Sequence, residues 1–285
     1  MNILTVPAYG KINLTLRVLG RRTDGFHDLS TIFQSIALHD TLILKKHYKG
    51  IHLQISGAPL EADSSNLVYQ AAALLQQRYG FPGVSITLKK EIPVAAGLAG
   101  GSSDAAATLL GLNYFFNLGL TSGQLAQIGI ELGSDVPFCV IGGTALGRSR
   151  GEKLSLLPSP QRLWLVLVKP PFGVSTKDVY KGWDESPNHE IISLNEEKQA
   201  IMALENKNRG QLLHSMGNCL EAVTCRIYPE VEDIKSRLLA EGAECAIMCG
   251  SGPTVYGVVP DKNTAYQIAT RMKKIYPETF VSYTI

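Results

Sequence analysis

PVAAGLAGGSSDAAATLLGL, running from Pro93 to Leu112, is the stretch on which the reading of this chain turns. Upstream of it, Val84, Ile86 and Leu88 alternate with Ser85, Thr87 and Lys89, the period-two pattern of a half-buried strand. Downstream, Asp104 to Leu118 reads as a helix rich in alanine and leucine, ended by Gly119. Between them lie Pro93, Val94, Ala95, Ala96, Gly97, Leu98, Ala99, Gly100, Gly101, Ser102 and Ser103. Three glycines, three alanines and two serines in eleven residues leave the backbone bare where a helix begins. A tight strand-to-helix turn, with Ser102 or Ser103 as an ordinary N-cap, needs only one glycine. The larger number favours a second reading. Consecutive N–H groups converge on an anion, and the positive end of the helix lies behind them. The loop contains neither Gly-x-x-x-x-Gly-Lys-[Ser/Thr] nor Gly-x-Gly-x-x-Gly, so neither of those phosphate motifs accounts for it.

Working outward, the first half of the chain reads as strands followed by helices. Asn66 to Tyr79 is helical and stops at Gly80, and Thr121 with Gln124 makes a capping box for a helix ending at Gly133. The proline-containing stretch 157–160 marks a boundary, which predicts one domain over 1–158 and another over 159–285. In the second half, Leu163 to Val168 is an apolar strand, and helices are predicted near 175–182, 195–206 and 209–222. Pro229 opens a helix closed by Gly242. Strands near 244–249 and 254–259, a helix near 262–275 and a strand from Phe280 to Ile285 follow. Without its inserted helices this half reads β-α-β-β-α-β, the order of a split βαβ layer.

Composition excludes several function classes. The chain has 285 residues, 45% hydrophobic and 18% charged, which suits two modest globular lobes. A formal net charge of +2 gives no electrostatic reason for a nucleic-acid partner, though a small anion needs only a local field. The five cysteines form no Cys-x-x-Cys pair and read as reduced, buried thiols. Polar residues by Lys11 and Asn13 argue against a signal peptide, and no apolar run is long enough to span a bilayer. The expectation is a cytoplasmic protein without a membrane partner, either a monomer or a weak homodimer.

Two further segments carry candidate chemistry. Cys249-Gly250-Ser251-Gly252-Pro253-Thr254 is either a plain hairpin turn or a lid that touches a phosphate or braces the glycine-rich loop. In Pro7 to Leu14, Lys11 and Asn13 share one strand face, which is either solvated or part of a site. Asp135, in Gly133-Ser134-Asp135-Val136-Pro137-Phe138, is either a turn-forming residue or the acidic partner of Lys11.

Taken in order, Pro7–Leu14, Pro93–Ala107 and Cys249–Gly257 resemble the three motifs of the GHMP small-molecule kinases, and the likeness spans essentially the whole chain. The resemblance implies an α+β, two-lobed fold. Its N-terminal βα lobe carries the glycine-rich phosphate loop, and its C-terminal lobe is a ferredoxin-like split βαβ layer. It also implies an ATP-dependent alcohol phosphotransferase. ATP lies on Pro93–Ser103 with Asn66 near the adenosine, and Mg²⁺ is carried with the ATP because no carboxylate cluster is visible for it. Asp135 is implied as general base. Lys11 stabilises it and the developing alkoxide, and Asn13 orients the substrate.

Gly20-Arg21-Arg22-Thr23-Asp24-Gly25-Phe26-His27-Asp28-Leu29 narrows the likeness to members whose small-molecule substrate carries a cytidine diphosphate group. Phe26 offers a stacking face where the family usually has tyrosine, and His27 offers a hydrogen-bonding edge. Tyr180 is either a second stacking ring or a core residue. A homoserine- or mevalonate-type kinase and a non-catalytic nucleotide-binding protein remain the alternatives.

Overall fold

The computed structural model describes residues 2–186 and 194–285. Two long strands open the chain, β1 (Ile3–Arg21) and β2 (His27–Lys46), followed by β3 (Gly50–Ser56). Helix α1 (Leu67–Tyr79) leads to β4 (Gly83–Lys89), then α2 (Gly100–Phe115), α3 (Ser122–Gly129) and α4 (Val136–Ile141). Next come β5 (Thr144–Ser149), β6 (Lys153–Leu157) and β7 (Trp164–Val168). Helices α5 (Thr176–Asp184), α6 (Leu194–Glu205) and α7 (Arg209–Ser215) precede the short β8 (Gly217–Asn218). Then follow α8 (Glu221–Ile227), α9 (Glu230–Ala240), β9 (Cys245–Met248), β10 (Val255–Val259), α10 (Lys262–Met272) and β11 (Thr279–Tyr283).

These elements form two compact units that are not consecutive lengths of chain. The first comprises the chain up to Gly10, His39–Val94 and Ala99–Gly142. The second comprises Lys11–Leu38, Ala95–Leu98 and the chain from Gly143 onward. Strands β1 and β2 therefore each contribute to both.

In the first unit β4 pairs antiparallel with β2, from Thr41 opposite Lys89 to Lys46 opposite Val84, and parallel with β3. Leu42, Leu44, Val84, Ile86 and Leu88 form a buried sheet face under Ala71, Leu75, Ala105, Leu109 and Leu112 of α1 and α2. Burying each such leucine contributes about 1.5–3 kcal/mol. Small residues let α2 lie close to the sheet. A Cβ on Gly111 would come within 2.8 Å of Leu44 Cδ1 and 3.0 Å of Val6 Cγ2. Helix α1 ends where Gly80 turns left-handed at φ 73°, and α3 starts at the Thr121–Gln124 capping box.

The second unit contains a sheet ordered β11-β7-β10-β9, antiparallel at each pairing. That is the split βαβ arrangement expected from the strand and helix order. Val166, Val168, Val255 and Val259 pack with Ile234 and Leu238 of α9 and Ile268 of α10. In the same unit β5 pairs with β2 and β6, and β8 pairs parallel with β1.

Three local expectations are corrected. The helix predicted over 209–222 is broken into α7 and α8, because Gly217 and Asn218 pair with Thr15 and Leu16 of β1. Helix α2 starts four residues before Asp104, at Gly100. Helix α3 stops at Gly129 rather than Gly133, and Gly129 packs against Val136 at the start of α4, where an added Cβ would lie 2.7 Å from Val136 Cγ1. Among the described residues, no helix is long and apolar enough to cross a membrane.

Candidate active site

The glycine-rich stretch is a left-handed staircase. Ala95, Gly97 and Ala99 take φ of 53°, 75° and 58°. Two of the three are alanines, for which this conformation costs roughly 1–2 kcal/mol each. Ala99 is the N-cap of α2 and has no side-chain oxygen, so no side chain caps the helix. This removes the reading of Ser102 or Ser103 as N-cap. Both serines sit inside the first turn, and the buried Ser103 hydroxyl donates to the Tyr9 carbonyl at 2.7 Å. The first-turn amides of α2 are thus left for a partner outside the helix, as an anion site requires.

In the second unit, segments of all three sequence motifs meet. Lys11 and Asn13 on β1 are 4% and 1% exposed, which excludes the solvated-face reading. Lys11 Nζ donates to Asn13 Oδ1 at 3.0 Å and lies 5.3 Å from the centre of the Phe33 ring. Asn13 Nδ2 donates to Thr31 Oγ1 at 2.7 Å, and Thr31 donates onward to the Thr15 carbonyl at 2.6 Å. The Tyr256 hydroxyl donates to the Asn13 carbonyl at 2.8 Å. Burying an ammonium is costly unless its hydrogen bonds are satisfied, and this chain of donors and acceptors holds it in one place.

Gly97 and the loop between β9 and β10 approach at backbone distance. A Cβ on Gly97 would stand 2.3 Å from the Cys249 carbonyl oxygen and 3.1 Å from that of Gly252. A Cβ on Gly250 would stand 3.5 Å from the Gly97 oxygen, 3.7 Å from Lys11 Nζ and 3.8 Å from Asn13 Oδ1. The loop is a hairpin connection that also braces the glycine-rich loop, so the two readings of it are compatible. Asn218 fixes it from behind, donating to the Met248 carbonyl at 2.9 Å and the Gly250 carbonyl at 2.6 Å. Full burial pushes the Cys249 thiol up to about 12, which leaves it inert beside Lys11.

The candidate base-reading residues also lie in the second unit. Phe26 is 53% exposed, with the Arg150 guanidinium 5.0 Å from its ring centre. His27 is buried, and its ring stacks on Tyr180 at 4.7 Å and 28°. His27 Nε2 hydrogen-bonds Asp184 Oδ1 at 2.8 Å, and Trp183 meets the same ring edge-on at 5.9 Å. Tyr180 therefore packs on the histidine, and Asp184 joins the group without having been found in the sequence. Its spacing of one helical turn from Tyr180 was the available signal.

In the first unit, Asp135 is the N-cap residue of α4 and half-buried, and its side chain does not cap that helix. It lies in the turn that leads into α4, closed by the Val136 N–H donating to the Gly133 carbonyl at 3.2 Å, so the turn-forming reading still describes its backbone. Asn66 caps α1 by accepting from the Val68 N–H at 2.9 Å, and its Nδ2 donates to the Glu61 carbonyl at 3.0 Å. Asn66 thus has a structural task of its own. Among the described residues, no group of three or more His, Cys, Asp or Glu side chains could hold a metal ion.

Comparison with known proteins identifies the family. The family description "GHMP kinases N terminal domain" matches residues 66–143, and "GHMP kinases C terminal" matches residues 200–278. The 4-diphosphocytidyl-2-C-methyl-D-erythritol kinase of Moorella thermoacetica is 64% identical over 285 residues, covering 100% of both chains. The protein of that name from Pelotomaculum thermopropionicum is 46% identical, covering 99% of this chain and 98% of its own. A crystal structure of a 4-(cytidine 5'-diphospho)-2C-methyl-D-erythritol kinase superposes with a TM-score of 0.83 at 31% identity, covering 99% of each chain.

Proposed function

Because this chain belongs to the GHMP kinase family, we propose that it transfers the terminal phosphoryl group of ATP to the 2-hydroxyl of 4-diphosphocytidyl-2-C-methyl-D-erythritol, in the non-mevalonate isoprenoid pathway. The observation that carries this reading is the full-length 64% identity to a relative bearing that substrate in its name. The buried Lys11–Asn13 pair beside Gly97 and Gly250 supports it chemically.

Phosphoryl transfer asks a protein mainly to position groups and to neutralise charge. The residues present fit a triphosphate, since α2 has no side-chain cap and the loop before it is rich in alanine and glycine, whose small side chains leave its amides accessible. Pro93 to Ser103 would hold the phosphates, with Asn66 near the adenosine. Mg²⁺ arriving with ATP supplies further neutralisation of phosphate charge. Asp135 takes the proton of the substrate hydroxyl as general base. Lys11 stabilises the alkoxide that forms, and Asn13, held by Lys11 and Thr31, orients the substrate. Phe26 offers its exposed face to cytosine, and His27, fixed by Asp184 and Tyr180, offers an edge. We place the boundary of the two family domains at 158/159, between the matched segments, and the enzyme in the cytoplasm.

Coupled ADP release is the test, run with the cytidine-diphosphate-linked methylerythritol, homoserine and mevalonate in parallel. Turnover with the first alone is the expected result. Turnover with another alcohol reassigns the substrate, and ATP binding without turnover on any of them removes the catalytic reading.

A further inference from the structure

Beneath the first turn of α2 lies an ionic cluster that the reaction above does not use. Lys90, just past β4, is 8% exposed. Its Nζ donates to Asp40 Oδ2 and, at 2.8 Å, to Asp104 Oδ2. Asp40, on β2, is wholly buried and also accepts from the backbone N–H groups of Glu91 and Ile92. Asp104 lies on α2 and is 3% exposed, and its Oδ1 has no hydrogen-bond partner. The cluster thus ties the chain entering the glycine-rich loop to the helix leaving it. It also stands directly behind the helix end. A Cβ on Gly100, the first residue of α2, would lie 3.2 Å from Lys90 Nζ.

We propose that Asp40, Lys90 and Asp104 are positioning residues for the phosphate loop, and that the net charge of this cluster sets nucleotide affinity. The proposal rests on the reading that phosphates bind at the first turn of α2.

The argument is one of charge. Asp40 accepts from the Lys90 ammonium and from two backbone N–H groups, so both of its oxygens are partnered. Asp104 has only a shared ammonium, and its second oxygen is buried without a partner. Burial first, then the charge of Asp40, pushes the Asp104 carboxyl up to about 8, with Lys90 opposing. The charged groups acting on Asp104 are Lys90 and Asp40, while α1 presents the apolar Leu67 to the neighbouring Gly101. With Asp104 protonated, the cluster is neutral: one ammonium, one carboxylate, one carboxylic acid. With Asp104 ionised it carries one negative charge, set behind the site meant to receive a polyanion. A bound triphosphate therefore favours the proton on Asp104, and by linkage that proton favours the triphosphate.

The test is calorimetric titration of the full chain with a non-hydrolysable ATP analogue and Mg²⁺, at pH 7 and pH 9, in buffers of different ionisation enthalpy. The wild-type protein should take up protons on binding near pH 8. Its affinity should fall about tenfold from pH 7 to pH 9, because binding that draws in one proton weakens once pH rises above the point where the free protein holds it. Asp104→Asn keeps the cluster neutral and should bind at pH 9 as the wild type does at pH 7, with that proton uptake gone. The titration of the nucleotide itself is common to both proteins. A merely structural cluster would change stability without moving the proton count. Binding that is equally strong at both pH values in both proteins, with no difference in proton uptake, overturns the inference alone. No binding by the wild type at any pH overturns the phosphate-loop reading beneath it. The proton-uptake measurement needs no variant, so it decides the matter even if Asp104→Asn folds poorly.

Discussion

Replacing Gly97 by alanine isolates the close approach on which the loop depends. Gly97 has φ of 75°, a conformation that costs an L-residue roughly 1–2 kcal/mol. The added Cβ would also stand 2.3 Å from the Cys249 carbonyl oxygen, so the two must part by about 0.7 Å to reach even 3.0 Å. The oxygen belongs to backbone held at Gly252 N–H and next to the Asn218-bound Gly250, so it has little room to retreat. Overpacking of this kind costs about 1–3 kcal/mol, which puts the whole penalty at about 2–5 kcal/mol. Gly119→Ala is the control. Its φ is 72°, but nothing lies within 4 Å of the Cβ position, so it carries the conformational strain without the clash. Urea unfolding of both variants measures the difference, and steady-state kinetics gives KM for ATP. Gly97→Ala should lose at least about 1 kcal/mol more than Gly119→Ala and should raise KM for ATP, which the control leaves unchanged. Equal stability loss with an unchanged KM would refute both the close contact and its link to the nucleotide.

Asp135→Asn should leave folding and nucleotide affinity nearly intact, since the side chain does not cap α4, and should lower kcat by about 10² or more. An unaffected kcat removes Asp135 from the mechanism. His27→Ala should raise KM for the cytidine substrate more than KM for ATP, and Asp184→Ala should follow it in the same direction because Asp184 holds the histidine at 2.8 Å. Equal effects on the two substrates would deny His27 its role as base reader. Stability should also fall as pH rises from about 4 to about 8. The unfolded Asp104 carboxyl loses its proton near 3.9, whereas the folded one keeps it to about 8, so the native state binds more protons across that window. Urea unfolding at several pH values checks the slope, and Asp104→Asn should flatten it. A slope the same in both proteins assigns it to other groups.

Much of the architecture was open to reading in the chain because local chemistry dictates it. The Thr121–Gln124 capping box, the left-handed Gly80 and the apolar run before Val168 each act on residues a few positions away. The β-α-β-β-α-β order of the second half held for the same reason. The break between α7 and α8 was not readable. Gly217-Asn218 is the one local stop signal, and what fixes the break there is pairing with Thr15 and Leu16, some 200 positions earlier in the chain.

For the site, residue type and spacing singled out the Pro93–Ser103 loop, because bare backbone is visible in one dimension, whereas Lys11, Asn13 and the Cys249–Thr254 turn stayed open until the resemblance to the GHMP kinases gave them a role. Only the tertiary structure decided that Lys11 and Asn13 are buried rather than solvated, that Ala99 rather than a serine occupies the N-cap of α2, and that Gly97 abuts Cys249. It also supplied Asp184 for His27 and Asp40 for Lys90, partners separated from them by 157 and 50 positions. Hydrophobic period and turn chemistry act between near neighbours and are written in the order of residues. Burial and the pairing of charges depend on which distant segments the fold brings together, and those exist only once the chain has closed on itself.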